Sequence, residues 1–163
     1  MSVDKYNPHI LILPEDDANN DILNGFLLEP GINNRKLQPL EVAGGWRVVR
    51  DTFVNEHIKQ MRRLPERLMV LLVDFDSRDD RLTQMRKAIP DDLLDRVFVL
   101  GARKEPEDLK KARLGSFETI GLLLGRDCVD GTDQGWSHDL LRHNLEELTR
   151  LRARVQSFLF LPV

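Results

Sequence analysis

The chain has little cysteine, few aromatic residues and no long apolar run. Cys128 is the single cysteine among 163 residues, and aromatic residues make up 6%. An intramolecular disulfide is therefore excluded, which fits a reducing compartment. No apolar run approaches the roughly 20 residues that a membrane-spanning helix needs. The polar start, Met1 to Lys5, lacks the basic-then-apolar pattern of a secretion signal. We therefore expect a cytoplasmic protein with no membrane association.

The sequence also lacks a large excess of charge of either sign. Its formal net charge is −3, with 31% charged residues, which does not favour a protein that coats nucleic acid. Residues 47–67 are nevertheless locally basic. Four arginines there are candidates for contacts with nucleic-acid phosphates: Arg47, Arg50, Arg62 and Arg63. The alternative, that they form the solvated face of a helix, stays open.

Two common kinds of site are also missing. The phosphate-loop pattern G-x-x-x-x-G-K-[S/T] is absent, so we expect no hydrolysis of nucleoside triphosphates. His138 and His143 are five residues apart, which is the wrong spacing for one helix face. With Cys128 they do not form a convincing zinc site.

Four short apolar segments have the composition of buried strands. They lie at 9–13, 37–42, 68–73 and 97–100. Segments with helical periodicity separate them, at 18–28, 46–63 and 78–89. The third strand segment is apolar at every position, as expected for a parallel sheet covered on both faces. The alternation predicts an α/β, Rossmann-like fold with a mostly parallel four-stranded sheet covered by helices.

The remainder of the chain is predicted to be helical. Helices are expected at 106–114, 116–124 and 138–158, with a loop at 125–135, and 158–161 could instead be a last strand. We expect a single domain over 1–163, with a core of about 9–101 and a C-terminal helical extension of about 105–163. The leucines of the last helix have near-heptad spacing. They predict either a surface for a protein partner or homodimer, or packing on the sheet.

Three acidic residues follow the predicted strands directly. Glu15 comes after the first strand, and Asp74 and Asp76 come after the third. In parallel sheets ligands bind at the carboxyl ends of the strands. Asp74 and Asp76 would point to the same side of an extended chain, and Glu15 would face them if strands one and three are neighbours. Two carboxylates ~4 Å apart repel by about 4 kcal/mol at an effective dielectric of about 20. A Mg²⁺ ion offsets this repulsion, whereas helix capping is the alternative role.

This order of elements resembles the Toprim domain of topoisomerases, bacterial primases and OLD-type nucleases. The resemblance rests on Glu15 after a strand, Gly44 and Gly45 before a helix, and Asp74-Phe75-Asp76 after an apolar strand. It implies that Glu15 is the general acid or base and that Asp74 and Asp76 bind Mg²⁺, for which Mn²⁺ could substitute. The implied activity is phosphodiester chemistry on DNA or RNA. Asp16 departs from the family pattern, which often has glycine after the glutamate.

Two other functions remain open. A non-catalytic Toprim-fold module would act with a partner protein. The segment ending in Glu15-Asp16-Asp17 also resembles the start of a response-regulator receiver domain, in which Asp74 would accept phosphate. The distance of 57 residues from Asp17 to Asp74 is longer than that compact fold usually has, so the Toprim resemblance is favoured.

Overall fold

Four parallel strands form the sheet at the centre of the fold. The computed structural model describes residues 2–104, 106–111 and 114–161. The strands are β1 (His9–Pro14), β2 (Leu37–Pro39), β3 (Arg67–Leu72) and β4 (Val97–Leu100). They lie in the order β2-β1-β3-β4, and each neighbouring pair is parallel. The predicted Rossmann-like α/β fold is confirmed, and β1 and β3 are neighbours.

Helices connect the strands and follow the last of them. They are α1 (Asp17–Phe26), α2 (Trp46–Thr52), α3 (Ile58–Arg63), α4 (Asp79–Lys87), α5 (Pro106–Lys111), α6 (Phe117–Asp130) and α7 (Leu145–Val155). A π-helical turn, Phe53–His57, joins α2 to α3 without a break. Short 3₁₀ helices occur at Asn34–Lys36, Asp91–Leu93 and Arg142–Asn144. Within the described ranges, no helix is both long enough and apolar enough to span a bilayer.

The helices cover both faces of the sheet. Successive side chains of a strand point to opposite faces, so Ile10 and Ile12 of β1 face one core and Leu11 and Leu13 face the other. The first core includes residues of α1, α5, α6 and α7, and the second includes residues of α2, α3 and α4. Since both faces are buried, neither β1 nor β3 alternates between apolar and polar residues.

The C-terminal helices differ from their predicted bounds. The helix expected to end at residue 124 continues to Asp130. Gly131 caps it, with a left-handed φ of 73°. Gly125 was assigned to a loop, but it lies within α6 against α1, where an added Cβ would be 2.8 Å from the Phe26 carbonyl oxygen. Helix α7 begins at Leu145 rather than at residue 138. Residues 158–161, for which a strand was the alternative, form one isolated antiparallel bridge, between Phe160 and Ile32.

The leucines of the last helix face the chain's own core. Leu148, Leu151, Val155 and Leu159 are all buried against the sheet and α6. The predicted partner or homodimer surface depended on these side chains. Any partner at α7 would have to bind the exposed residues of the helix, because these apolar side chains already pack in the core of the chain.

Polar side chains protect the free edge of β4. The Gly101 N–H donates to Asn144 Oδ1 at 3.1 Å, and Asn144 Nδ2 donates to the Gly101 carbonyl at 2.9 Å. Glu147 accepts from the Val99 N–H at 3.2 Å, and Arg150 donates to the Val97 carbonyl at 2.9 Å. An unpaired edge strand is a site for aggregation, and these contacts satisfy its backbone groups.

We expect Asn144→Ala to destabilise the fold by about 1–3 kcal/mol, because it leaves the buried N–H of Gly101 without a partner and leaves the Gly101 carbonyl to His143 alone. Urea denaturation followed by circular dichroism measures this change. The matched control is Asn24→Ala on the exposed face of α1, which should change the stability by no more than about 0.5 kcal/mol. Equal stabilities of the two variants would contradict this account of the edge.

Candidate functional site

The carboxyl ends of β1 and β3 bring Glu15 and Asp74 together. Pairing in register places Pro14 opposite Leu72, and the Glu15 N–H donates to the Leu72 carbonyl at 2.9 Å. The backbone N–H of Asp74 donates to Glu15 Oε2 at 2.6 Å. Both side chains are buried, with 9% of Glu15 and 5% of Asp74 exposed. The structure therefore joins two of the three acids that were predicted to share a crevice.

Asp16 is a third acid at this edge of the sheet. It caps α1, where its Oδ1 accepts from the backbone N–H of Asn19 at 3.0 Å and from Asn19 Nδ2 at 3.1 Å. Asp16 is therefore the N-cap residue of α1. Its charge also raises the pKa values of both Glu15 and Asp74. The acidic group consists of Glu15, Asp16 and Asp74.

Burial makes the two strand-end carboxyl groups hard to ionise. The pKa of Asp74 is raised to about 9, first by burial and then by the charges of Asp16 and Glu15. Burial also raises the pKa of Glu15, against the opposing effects of the Asp74 N–H, the Arg81 charge and the Trp46 N–H. Asp74 Oδ1 is buried and has no hydrogen-bond partner among the described residues. Asp74 is therefore protonated at neutral pH unless a cation lies beside it.

Asp76 does not belong to this buried group. The extended conformation ends before it, since Asp76 and Ser77 have left-handed φ values of 49° and 56°. The Ser77 N–H donates to the Arg103 carbonyl at 2.6 Å, which holds the turn. Asp76 is exposed whereas Asp74 is buried. The expectation of a shared side rested on an extended chain and is wrong for this reason.

The donor set fits a cation held by few protein ligands. The described residues contain no group of three or more His, Cys, Asp or Glu side chains that could hold a metal ion. The unpartnered oxygen of Asp74 is suited to one metal bond, and Asp16 or Glu15 could supply a second. Mg²⁺ is commonly bound by one or two carboxylates and completed by water and substrate phosphates. This chemistry matches the donors that the site offers.

Three arginines surround the ring of Trp46 next to the acids. The guanidinium carbons of Arg47, Arg50 and Arg81 lie 5.1, 5.5 and 5.1 Å from the ring centroid. Arg81 Nη1 also donates to the Asp74 carbonyl at 2.6 Å. Arg81 was missed from the sequence. The signal that could have identified it is a basic residue in the first turn of the helix after the acids, where the helix dipole disfavours a cation.

Arg62 and Arg63 lie at the other end of the same helical segment. The rise of an α-helix puts Arg62 roughly 22 Å along the axis from Arg47. α3 ends at Arg63, just before the start of β3, and so at the amino edge of the sheet. Arg62 forms two hydrogen bonds of 3.0 Å with exposed Asp92. Of the four predicted phosphate contacts, the structure places only Arg47 and Arg50 beside the acids.

Comparisons of this chain with protein-family models, with curated proteins and with solved structures find no match. The function must therefore be inferred from the chemistry of the site.

We expect the stability of the metal-free protein to fall as the pH rises from about 4 to about 9. Over this interval Asp74 keeps its proton in the native state and loses it in the unfolded state, so unfolding becomes more favourable. Asp74→Asn should reduce this dependence, and the raised pKa of Glu15 should leave a residual slope of the same sign.

Urea denaturation in EDTA at several pH values between about 5 and 8 measures the slope. Asp76→Asn is the control, because it removes an exposed carboxylate two residues away and should keep the wild-type slope. Parallel curves for the wild type and Asp74→Asn would show that Asp74 ionises normally in the native protein.

Proposed function

We propose that this chain is a cytoplasmic enzyme that performs Mg²⁺-dependent phosphodiester chemistry on nucleic acid, as a nuclease similar to Toprim proteins. The observation that carries the proposal is the buried Glu15–Asp74 pair, with its unpartnered carboxylate oxygen, at the carboxyl edge of a parallel sheet. Ligands bind at this edge in open α/β sheets. The arginines beside the pair supply the opposite charge that an anionic substrate needs.

Asp74 is the proposed principal metal ligand, with Asp16 or Glu15 as the second. A bound Mg²⁺ would polarise the phosphoryl oxygens and stabilise the charge that develops on them. The exposed position of Asp76 suits a contact through water better than direct ligation. In this assignment the second ligand is Asp16 or Glu15, in place of the Asp76 of the Toprim pattern.

Glu15 is the proposed general acid or base. Its carboxylate is held by the Asp74 N–H at 2.6 Å, and burial raises its pKa toward the range that proton transfer near neutral pH requires. The Gly44 N–H donates to the Glu15 carbonyl at 2.8 Å and fixes the backbone on the other side. These contacts restrict the orientation of the side chain, as proton transfer to a bound substrate demands.

Mn²⁺ binding measured by calorimetry at about pH 8 tests the metal site without a choice of substrate. We expect Asp74→Asn to weaken binding by at least about tenfold, since even a lost outer-shell partner commonly has that effect. Asp76→Asn, matched in charge and two residues away, should change the affinity by no more than about threefold. A larger loss in Asp76→Asn than in Asp74→Asn would restore the Toprim assignment of the ligands.

Cleavage of single- and double-stranded DNA and RNA with Mg²⁺ or Mn²⁺ tests the activity itself. Glu15→Gln keeps an oxygen to accept from the Asp74 N–H but cannot transfer a proton. We expect it to lower kcat by about 10²- to 10⁴-fold. The metal affinity should stay within about tenfold of the wild-type value. Absence of cleavage of every nucleic acid by the wild type would contradict the proposed function.

One observation favours a second function, a non-catalytic module that acts with a partner protein. The described residues hold no group of three metal-ligating side chains, and Toprim-like catalysis uses three carboxylates. Such a module would neither bind Mn²⁺ at Asp74 nor cleave nucleic acid. Sedimentation with and without candidate partners would then replace the activity assays.

A further inference from the structure

We propose that Arg47, Arg50 and Arg81 form, around the ring of Trp46, a binding site for the phosphodiester backbone of a nucleic-acid strand that works without a divalent cation. The inference rests on the proposed function, because it names the substrate contact of the same site. It adds Arg81 and Trp46, and it separates substrate binding from metal binding.

Trp46 gathers three guanidinium groups that would otherwise repel one another. All three lie within 5.5 Å of the ring centroid, a distance at which the negative face of the indole attracts cations. The Trp46 ring contributes no net charge, so the cluster remains strongly positive. A cluster of three cations on one aromatic ring favours the binding of an anion.

The hydrogen-bonding capacity of these arginines is mostly unused. Among the side chains that the structure describes, none forms an ion pair with Arg47 or Arg81, and Arg50 pairs with Asp51 at 3.1 Å, a pair whose carboxylate is largely exposed. An exposed ion pair of this kind contributes little to stability. Another anion can therefore easily replace the Asp51 carboxylate at Arg50. Arg81 Nε is buried and has no acceptor among the described residues. A buried donor without a partner is unfavourable, and a ligand oxygen would supply the missing acceptor.

Arg81 connects the cluster to the acids. Its Nη1 donates to the Asp74 carbonyl at 2.6 Å, and its charge acts on Glu15. A phosphate held by Arg81 would therefore lie near the carboxyl end of β3, which Asp74 follows.

The chemistry of the ligand follows from the groups that face it. Guanidinium forks bind phosphate oxygens in pairs and select planar or tetrahedral oxyanions. Arg47 is exposed at the surface whereas Arg81 reaches the strand end, so the cluster extends outward from the acids. An extended polyanion can contact such a set through successive phosphates. A nucleic-acid strand, DNA or RNA, is the polyanion that the proposed chemistry requires.

Binding of a dye-labelled single strand of about 12 nucleotides, measured by anisotropy in EDTA, tests this site. We expect saturable binding by the wild type, weakened at least tenfold in Arg81→Ala. The slope of log K against log salt should fall by about 0.7–1, as for one lost phosphate contact. The control is Arg86→Ala, which removes the same charge from an exposed position of α4 and should change the affinity by no more than about twofold. DNA and RNA strands of one sequence form the two arms.

Tryptophan emission locates the bound strand. Trp136 is buried and donates to the Leu124 carbonyl at 3.1 Å, so a change on binding is expected from Trp46 and should vanish in Trp46→Phe. Arg81→Lys keeps the charge but not the fork, and circular dichroism verifies that each variant folds. Arg81→Lys should bind more weakly than the wild type and regain part of the affinity that Arg81→Ala loses.

Three results would overturn the inference: no binding in EDTA, equal losses in Arg81→Ala and Arg86→Ala, or binding without a change in Trp46 emission. Binding that depends on Arg81 in a protein that neither binds Mn²⁺ nor cleaves would support the inference while contradicting the proposed function. Metal-dependent cleavage that is insensitive to Arg81 would support the proposed function while contradicting the inference.

Discussion

A hydrogen bond of 2.6 Å, from the backbone N–H of Asp74 to the carboxylate of Glu15, joins the carboxyl ends of β1 and β3. It requires the parallel pairing that places Pro14 opposite Leu72, and that pairing requires a helix layer on each face, because neither strand has a polar side. The two acids thus lie at the middle strands of the sheet, where the backbone is most firmly held. The distance between them is therefore set by the whole fold and not by a flexible loop.

Two buried aspartates show how differently this chain treats a carboxyl group. Asp127 is 1% exposed, and both of its oxygens are satisfied. Its donors are the hydroxyl of Thr132 and the backbone N–H groups of Gln134, Gly135 and Trp136. Asp127 therefore organises the loop that follows α6. Asp74 is buried to a similar degree, yet one oxygen has no partner among the described residues, and two of its neighbours, Asp16 and Glu15, are acids. A buried carboxyl group of this kind needs a proton or a cation. This requirement distinguishes Asp74 from Asp127, whose oxygens are satisfied by hydrogen bonds within the fold.

Much of the fold could be predicted, because apolar strands separated by helical segments specify a covered parallel sheet. The proximity of Glu15 and Asp74 followed once β1 and β3 were assumed to be neighbours, an order that no local pattern encodes. Asp76 was misplaced because its left-handed turn is held by a hydrogen bond from Ser77 to Arg103, a contact between distant parts of the chain. Arg81 was missed for a related reason, since its role depends on how α4 leaves the sheet. Long-range contacts, and not composition, decided both positions.

The proposed divalent cation would bind at the joined ends of β1 and β3. Paramagnetic broadening of backbone amide signals by substoichiometric Mn²⁺, in a ¹⁵N-labelled sample, tests for this cation. The account predicts that signals from residues 15–17 and 74–75 are lost first, while those of His9 and Arg67 at the opposite edge persist. Broadening centred on the exposed acids Asp80, Asp91 and Asp92, or spread evenly over the surface, would contradict it.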